Sequence, residues 1–351
     1  MELYMWQMEI IGAGRNVIGG AWVAKRVPDD HVAVSANIPR IGLLLRNDPA
    51  NFLCSDNVEQ VAKTHGLWDG RGDFLFWKAF APDYAKGRNF REREWFIFNA
   101  LAPSQHLSYS ATELPFSVRP DKKVSVEQVI ELFRSTYEGT NMDMCRNLQM
   151  EVTRKDSLGI ERTKYEPSTV ANPWMTTAMQ KTLNYLRPGT VEFQRTVSVA
   201  WCSYSFVTQL RGNQPDAVGG ICWMSVDNPG QSPRIPIFCG TTKLPAAFAR
   251  CGQKNYDPEA VLWQYRKANK LATVAWQRTK DDMMKEVLAQ QKEAFDGLKK
   301  LERDVQIYDT QGMIVHSQKL VTDYTDKIYR ATAAAWQRLE GKYWLLFGLG
   351  F

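Results

Sequence analysis

The amino-acid sequence predicts an α+β fold on three observations. Strand-like patterning occupies two stretches, Tyr4 to Ala36 and Thr196 to Cys239, and helical periodicity takes over from Pro258 toward the C-terminus. With 351 residues, of which 44% are hydrophobic and 23% charged, the chain has room for one large or two medium cores.

Tyr4 to Ile11 alternates as a strand, and a glycine-bearing turn, Gly12 to Gly20, leads to a second run from Trp22 to Val27. Pro28-Asp29-Asp30 has turn chemistry, and His31 to Ala36 follows in strand fashion. The segment therefore reads as a β-hairpin whose second strand ends at Asn37. Arg46 to Pro49 is a turn. Ser55 to His65 is expected as a helix with Val58, Val61 and Ala62 on one face, Ser55 or Asp56 as N-cap and Gly66 closing it. Gly70-Arg71-Gly72-Asp73 reads as a loop, and its RGD triplet is too short to indicate an adhesion ligand.

Phe74 to Phe80 is aromatic-rich, and Phe90 to Leu101 is expected as a helix that stops at Ala102-Pro103. Arg91 and Arg93 are two residues apart on it, so at most one points into any given cleft. Val124 to Tyr137 has helical spacing, with Ser125 and Gln128 as a capping box, and ends in the polar turn Tyr137-Glu138-Gly139-Thr140. The Pro- and polar-rich stretch from Arg154 to Pro188 reads as a connection and a lobe boundary.

Beyond it, Thr196 to Leu210 and Gly219 to Val226 read as antiparallel partners, with a short third strand at Ile235 to Cys239. Pro258 to Ile307 and Thr322 to Leu346 read as two long helices forming a hairpin around Asp309 to Gly312. Residues 1–250 are thus assigned to a sheet-containing portion and 251–351 to a helical extension. The echo between TVAWQRTK (Thr273 to Lys280) and AAAWQRLE (Ala333 to Glu340) is too short to be a repeat.

Formal net charge is +6, but basic and acidic residues are intermixed and no basic-aromatic block occurs, which argues against a nucleic-acid partner. No apolar run approaches membrane-spanning length, and the N-terminus lacks the basic start and apolar core of a signal peptide. The six cysteines form no C-x-x-C pair and the four histidines are scattered, so neither a metal site nor another cofactor is expected. Isolated buried thiols are the simpler expectation, with one or two disulfides as the alternative in an oxidising compartment. Twelve tryptophans suggest large amphipathic surfaces in core or pocket walls.

Asn37 stands out chemically. An asparagine at a strand end can donate its NH2 group to a carbonyl oxygen or oxyanion, a device of acyl-transfer sites. On this stretch alone, the simpler reading is a turn asparagine before Pro39.

Five segments taken together resemble the cysteine dipeptidases related to secernin, a branch of the N-terminal-nucleophile hydrolases. They are WVAKRVPDDHVAVSAN (Trp22 to Asn37), REREWFIFNALAPS (Arg91 to Ser104), FRSTYEGTNMD (Phe133 to Asp143), CSYSFVTQLRGNQPDAVGGICWM (Cys202 to Met224) and RIPIFCGTTKLPAAF (Arg234 to Phe248). Their order also fits. The resemblance implies an αββα sandwich of two antiparallel sheets covered by helices. It also implies dipeptide hydrolysis by an N-terminal cysteine whose own α-amino group is the base. Asn37 would be the oxyanion donor, and Arg91 or Arg93 would bind charge in the cleft or tune the nucleophile. Glu138 would bind a substrate ammonium or simply cap the preceding helix.

The family's first half, with its N-terminal cysteine, has no counterpart in these 351 residues. The expectation is an incomplete sandwich, without dipeptidase activity alone, whose missing half is supplied in cis upstream of Met1 or in trans by another chain. A non-catalytic binding or scaffolding protein that keeps the sandwich is the alternative. Unpaired sheet edges and an uncovered apolar face are expected to favour a homo-oligomer or low monomeric solubility.

Overall fold

The computed structural model describes residues 4–12, 20–83 and 87–349. By its contacts the chain divides into two units, Met1–Ser125 and Val126–Phe351.

In the first unit, strand β2 (Gly20–Val27) is central. It pairs antiparallel with β1 (Met5–Gly12), from Met5 opposite Val27 to Gly12 opposite Gly20. On its other edge lies β4 (Phe52–Cys54), with Val23 opposite Cys54. Ala21 and Val23 share a core with Ile41, Phe52, Phe74 and Phe76, and with Val58 and Ala62 of helix α1 (Val58–Thr64).

The expected hairpin does not form. The turn is present, with the His31 N–H donating to the Pro28 carbonyl at 2.9 Å. Strand β3 is only Val32–Ala33, however, and it pairs with β5 (Ser117–Val118). Both edges of β2 are already occupied by β1 and β4, so no ladder position remains for β3. Asn37 therefore lies in a bend four residues beyond β3. The expected Gly12–Gly20 turn lies largely outside the described residues.

Ser55 does not cap α1. Its hydroxyl accepts from the Trp22 N–H at 3.1 Å, extending the sheet. Helix α2 (Phe76–Phe80) follows, and α3 (Arg88–Leu101) ends at Ala102, one residue before Pro103, as the sequence predicts.

The second unit begins with α4 (Val126–Arg134). The stretch read as a connection carries a hairpin, β6 (Gln149–Lys155) with β7 (Glu161–Pro167), and helix α5 (Thr177–Leu186). Nearly every hairpin side chain faces water, so the apolar alternation that signals a strand is missing. Cross-strand pairs such as Arg154–Glu166 stand in its place.

A three-stranded antiparallel sheet is ordered β10 (Ile235–Phe238), β9 (Gly220–Val226), β8 (Tyr204–Leu210), with the one-turn helix α6 (Asp216–Gly219) before β9. The last two strands match their expected positions. The first is shorter than predicted, because the Ser198 and Thr196 hydroxyls bond elsewhere in the local backbone and to Asn228, holding residues 196–203 in turns. On β8, Tyr204, Phe206 and Leu210 are all more than half exposed.

The C-terminal helices are α7 (Val261–Val274), α8 (Trp276–Asp296), α9 (Leu298–Thr310) and α10 (Ile314–Gly348). The first predicted helix is thus three, interrupted at Ala275, whose φ of −133° and ψ of 53° leave the helical region, and at Gly297. The second begins eight residues earlier than predicted. These helices share a core with the sheet: Val226 and Ile235 pack with Val261, Tyr265, Ala268 and Trp336. No helix among the described residues is long and apolar enough to cross a membrane.

The turn between α9 and α10 falls where the sequence places it, on Gly312 at φ +70°. The Met313 N–H donates to the Tyr308 carbonyl at 2.8 Å and the Gly312 N–H to that of Asp309 at 2.9 Å, a Schellman closure. A Cβ at Gly312 meets no atom within 4 Å, so substitution there costs only backbone strain. Gly312→Ala is expected to lower the unfolding free energy by about 1–2 kcal/mol, read as a lower urea midpoint at unchanged slope; an unchanged midpoint contradicts a strained left-handed turn.

Candidate active site

The first unit holds the backbone around Asn37 with side chains from one strand and one helix. Asn37 has φ +67°, a left-handed conformation that asparagine tolerates better than most residues. Carboxylates hold the backbone on both sides. Glu94 of α3, fully buried, accepts the Ala36 N–H at 3.2 Å and faces Arg40 Nη1 at 3.1 Å, a charge contact without hydrogen-bond alignment. Glu9 of β1 accepts the N–H groups of Arg40 and Ile41, the latter at 3.1 Å. Arg40 is itself buried, and its Nη2 donates to the Leu114 and Pro115 carbonyls at 2.8 and 2.7 Å.

Of the two arginines, Arg93 is the one that bonds to this loop. Its Nη2 donates to the Ala36 carbonyl at 3.1 Å and to Asn37 Oδ1 at 3.0 Å. Guanidinium has no acceptor, so the amide must turn its oxygen toward Arg93 and its NH2 away. Asn37 is exposed, which leaves that NH2 on the accessible side of the loop.

Arg91 faces elsewhere, as the two-residue spacing requires. It is buried, and with Arg88, Glu92, Tyr109 and Thr112 it lines a cleft of about 570 Å³. Burial lowers the Arg91 pKa below its ordinary value, with Glu94 and Glu113 pulling back and Arg40 adding to the fall. Across the cleft mouth, the Tyr109 hydroxyl donates to Glu92 at 2.6 Å.

Glu138 lies in the second unit, directly after Tyr137, whose φ of +64° is unusual for a bulky residue. Its carboxylate receives four donors: the Thr136 hydroxyl at 3.0 Å, the Trp276 indole N–H at 2.9 Å, Gln277 Nε2 at 3.3 Å and Lys280 Nζ at 3.4 Å. The turn after α4 is thereby tied to the start of α8, where the break at Ala275 aims Trp276 at it.

All six cysteines are free thiols. Burial raises the pKa of Cys54, Cys202 and Cys222 and pushes Cys145 up to about 11, the opposite of nucleophile activation. Cys239 and Cys251 are exposed. Among the described residues no cysteine hydrogen-bonds a histidine, and no group of three His, Cys, Asp or Glu residues is arranged to hold a metal.

Sequence reading missed Glu9, Arg40 and Glu94. A signal for Glu94 existed: Arg91, Glu94 and Phe98 fall on one helical face at spacings of three and four, and the buried face of α3 carries them all.

Comparison with known proteins gives a consistent picture. The model of a family described as "Peptidase family C69" matches residues 2–289. A probable dipeptidase of Latilactobacillus sakei is 26% identical over 254 residues, covering 72% of this chain and 44% of that protein. A probable dipeptidase of Salmonella dublin is 26% identical over 239 residues, covering 67% and 45%. Probable dipeptidase B of Streptococcus pyogenes serotype M1 is 23% identical over 268 residues, covering 76% and 46%. The chain spans about half the length of the curated relatives it matches.

The Glu94 clamp has a measurable pH signature. Burial pushes its carboxyl from 4.5 up to about 7, against the opposing pull of Arg40 and the Ala36 N–H. Between those values the unfolded chain releases the proton while the folded chain keeps it, so stability falls as pH rises through the window and levels off above it. Glu94→Gln removes this titration and leaves that of Glu9 in place. The stability of the native protein relative to Glu94→Gln is expected to decline between pH 4.5 and 7, followed by thermal melting; a flat difference contradicts a buried, proton-retaining Glu94.

Proposed function

The chain belongs to peptidase family C69, and from that premise we propose that it forms the oxyanion-receiving part of a site hydrolysing the peptide bond of dipeptides. The observation that carries this reading is the clamped loop. Asn37 is held in a left-handed bend, its amide oxygen taken by Arg93 and its NH2 left outward. A preorganised donor of this kind stabilises charge that develops on a carbonyl oxygen without reorganising during the reaction. The relatives' names, probable dipeptidases, support the substrate class.

In the proposed reaction a thiolate attacks the carbonyl carbon of the scissile amide, and the oxygen that gains the negative charge accepts from Asn37 Nδ2. The C–N bond then breaks, the amine leaves with a proton, and water releases the acyl group from the thioester. Arg93 acts as a positioning residue for Asn37. Arg91 supplies positive charge to the neighbouring cleft, suited to the carboxylate of a dipeptide. Glu138, already engaged by four donors, serves as an internal tie of the second unit.

The attacking thiol is proposed to belong to polypeptide outside these residues. Support comes from the environments of Cys54, Cys145, Cys202 and Cys222, which favour the neutral thiol, and from the family resemblance, which implies a cysteine bearing a free α-amine. The exposed apolar side chains Tyr204, Phe206 and Leu210 on β8 favour association in solution.

Three outcomes test this reading. The purified chain is expected to leave dipeptides intact; turnover abolished by thiol alkylation contradicts an external nucleophile. When the chain is joined to the N-terminal portion of a family relative, Asn37→Ala should lower kcat about 10²-fold or more with a modest change in KM. Unchanged turnover returns Asn37 to a turn role. Light scattering at high concentration should report oligomers, and a clean monomer contradicts an association-prone β8.

A further inference from the structure

A second cluster, in the second unit, lies on the helix-covered face of the β8–β9–β10 sheet. Arg234, directly before β10, is 1% exposed, and no carboxylate among the described residues pairs with it. Its Nη1 donates to the Trp223 carbonyl at 3.2 Å and its guanidinium carbon lies 5.2 Å from the centre of the Phe133 ring, while its Nη2 is buried without a hydrogen-bond partner. Arg134, at the end of α4, is also buried. It is paired with Glu131, itself half exposed, and its Nε has no partner.

Gln291 of α8 joins the two arginines. Its Oε1 accepts from Arg134 Nη2 at 3.1 Å and from the Arg234 backbone N–H at 3.0 Å, and its Nε2 is buried and unsatisfied. Beside them, Ser205 and Ser225 are register partners, and both hydroxyls are buried without partners. Arg234 precedes Ile235, which pairs with Met224, so it falls beside Ser225 on the same sheet face. One amide oxygen thus receives the Arg134 guanidinium and the Arg234 backbone, the one half-exposed carboxylate of the cluster is bonded to Arg134, and three N–H-bearing side-chain atoms are left over.

Such an arrangement is unfavourable as it stands. Buried donors without acceptors forfeit their hydration, and an uncompensated buried charge is costlier still. Burial followed by repulsion from Arg134 lowers the Arg234 pKa to about 10, still far above neutral, so the guanidinium stays charged. What is missing is an acceptor bearing negative charge.

We propose that Arg234, Arg134 and Gln291, with the Ser225 hydroxyl, form a buried binding site for a small inorganic anion of the halide class. A halide offers charge and accepts several donors at once without needing directional lone pairs. Water could fill the hydrogen bonds but not the charge. A carboxylate from another polypeptide is disfavoured, because the unsatisfied atoms are already sealed from solvent and would have to be opened to admit a side chain.

The test compares thermal unfolding of the purified chain in sodium chloride or bromide with that in sodium gluconate at fixed ionic strength. A saturable rise in the midpoint of about 5 °C with halide is expected. Arg234→Met, which removes the charge but keeps an apolar stem of similar length, should abolish the halide dependence. In crystals soaked in bromide, an anomalous peak is expected within contact distance of Arg234 Nη2. Equal midpoints in both salts, a halide dependence that survives Arg234→Met, or ordered water alone at that position overturns the proposal. The bromide experiment uses the native chain and decides the matter even if the variant fails to fold.

Discussion

Glu94 is a carboxylate sealed from water inside the first unit, and the geometry of the candidate site depends on it. A buried carboxylate is costly unless its oxygens are used, and here they are given to the Ala36 N–H and the Arg40 side chain. Arg40 in turn anchors the Leu114 and Pro115 carbonyls, while Glu9 takes the next two backbone N–H groups of the same loop. A six-residue stretch is thereby fixed from one strand and one helix. Asn37 has no freedom to relax from its left-handed bend. The position of the Asn37 amide thus depends on carboxylates that do not themselves bond to it.

Ion-pair placement divides the molecule into two kinds of polar interior. Around Asn37 every buried charge faces an opposite charge or a backbone dipole. Around Asp227 in the second unit the same holds: the carboxylate receives Arg266 at 2.6 Å and Asn269 at 3.0 Å, and the Trp336 indole closes the network on Asn269. In the Arg134–Arg234 cluster two buried cations are served by a single, half-exposed carboxylate, bonded to Arg134, and the anion proposal starts from that imbalance.

Sequence periodicity located elements whose signal is local. Helix α3 was legible because an amphipathic run meets Ala102-Pro103, and the α9–α10 turn because glycine follows the last helical residue. β9 and β10 were legible as short apolar runs. The β2–β3 hairpin was misread because pairing partners are chosen globally: β1 and β4 occupy both edges of β2, which no local pattern reveals. The β6–β7 hairpin escaped because both of its faces are wet. The family resemblance singles out Asn37 and either Arg91 or Arg93, and the fold brings Arg93 to Asn37, whereas Glu9 and Glu94, 85 positions apart in the chain, meet at the loop only through the fold.

Amide hydrogen exchange at the loop tests the central claim most directly. If Glu9 and Glu94 clamp it, the Ala36, Arg40 and Ile41 amides should exchange at least about tenfold more slowly in the native protein than in Glu94→Gln or Glu9→Gln at the amides each carboxylate holds. Exchange at those three positions as fast as in an open surface loop, or unaffected by either substitution, contradicts a site preorganised by buried carboxylates.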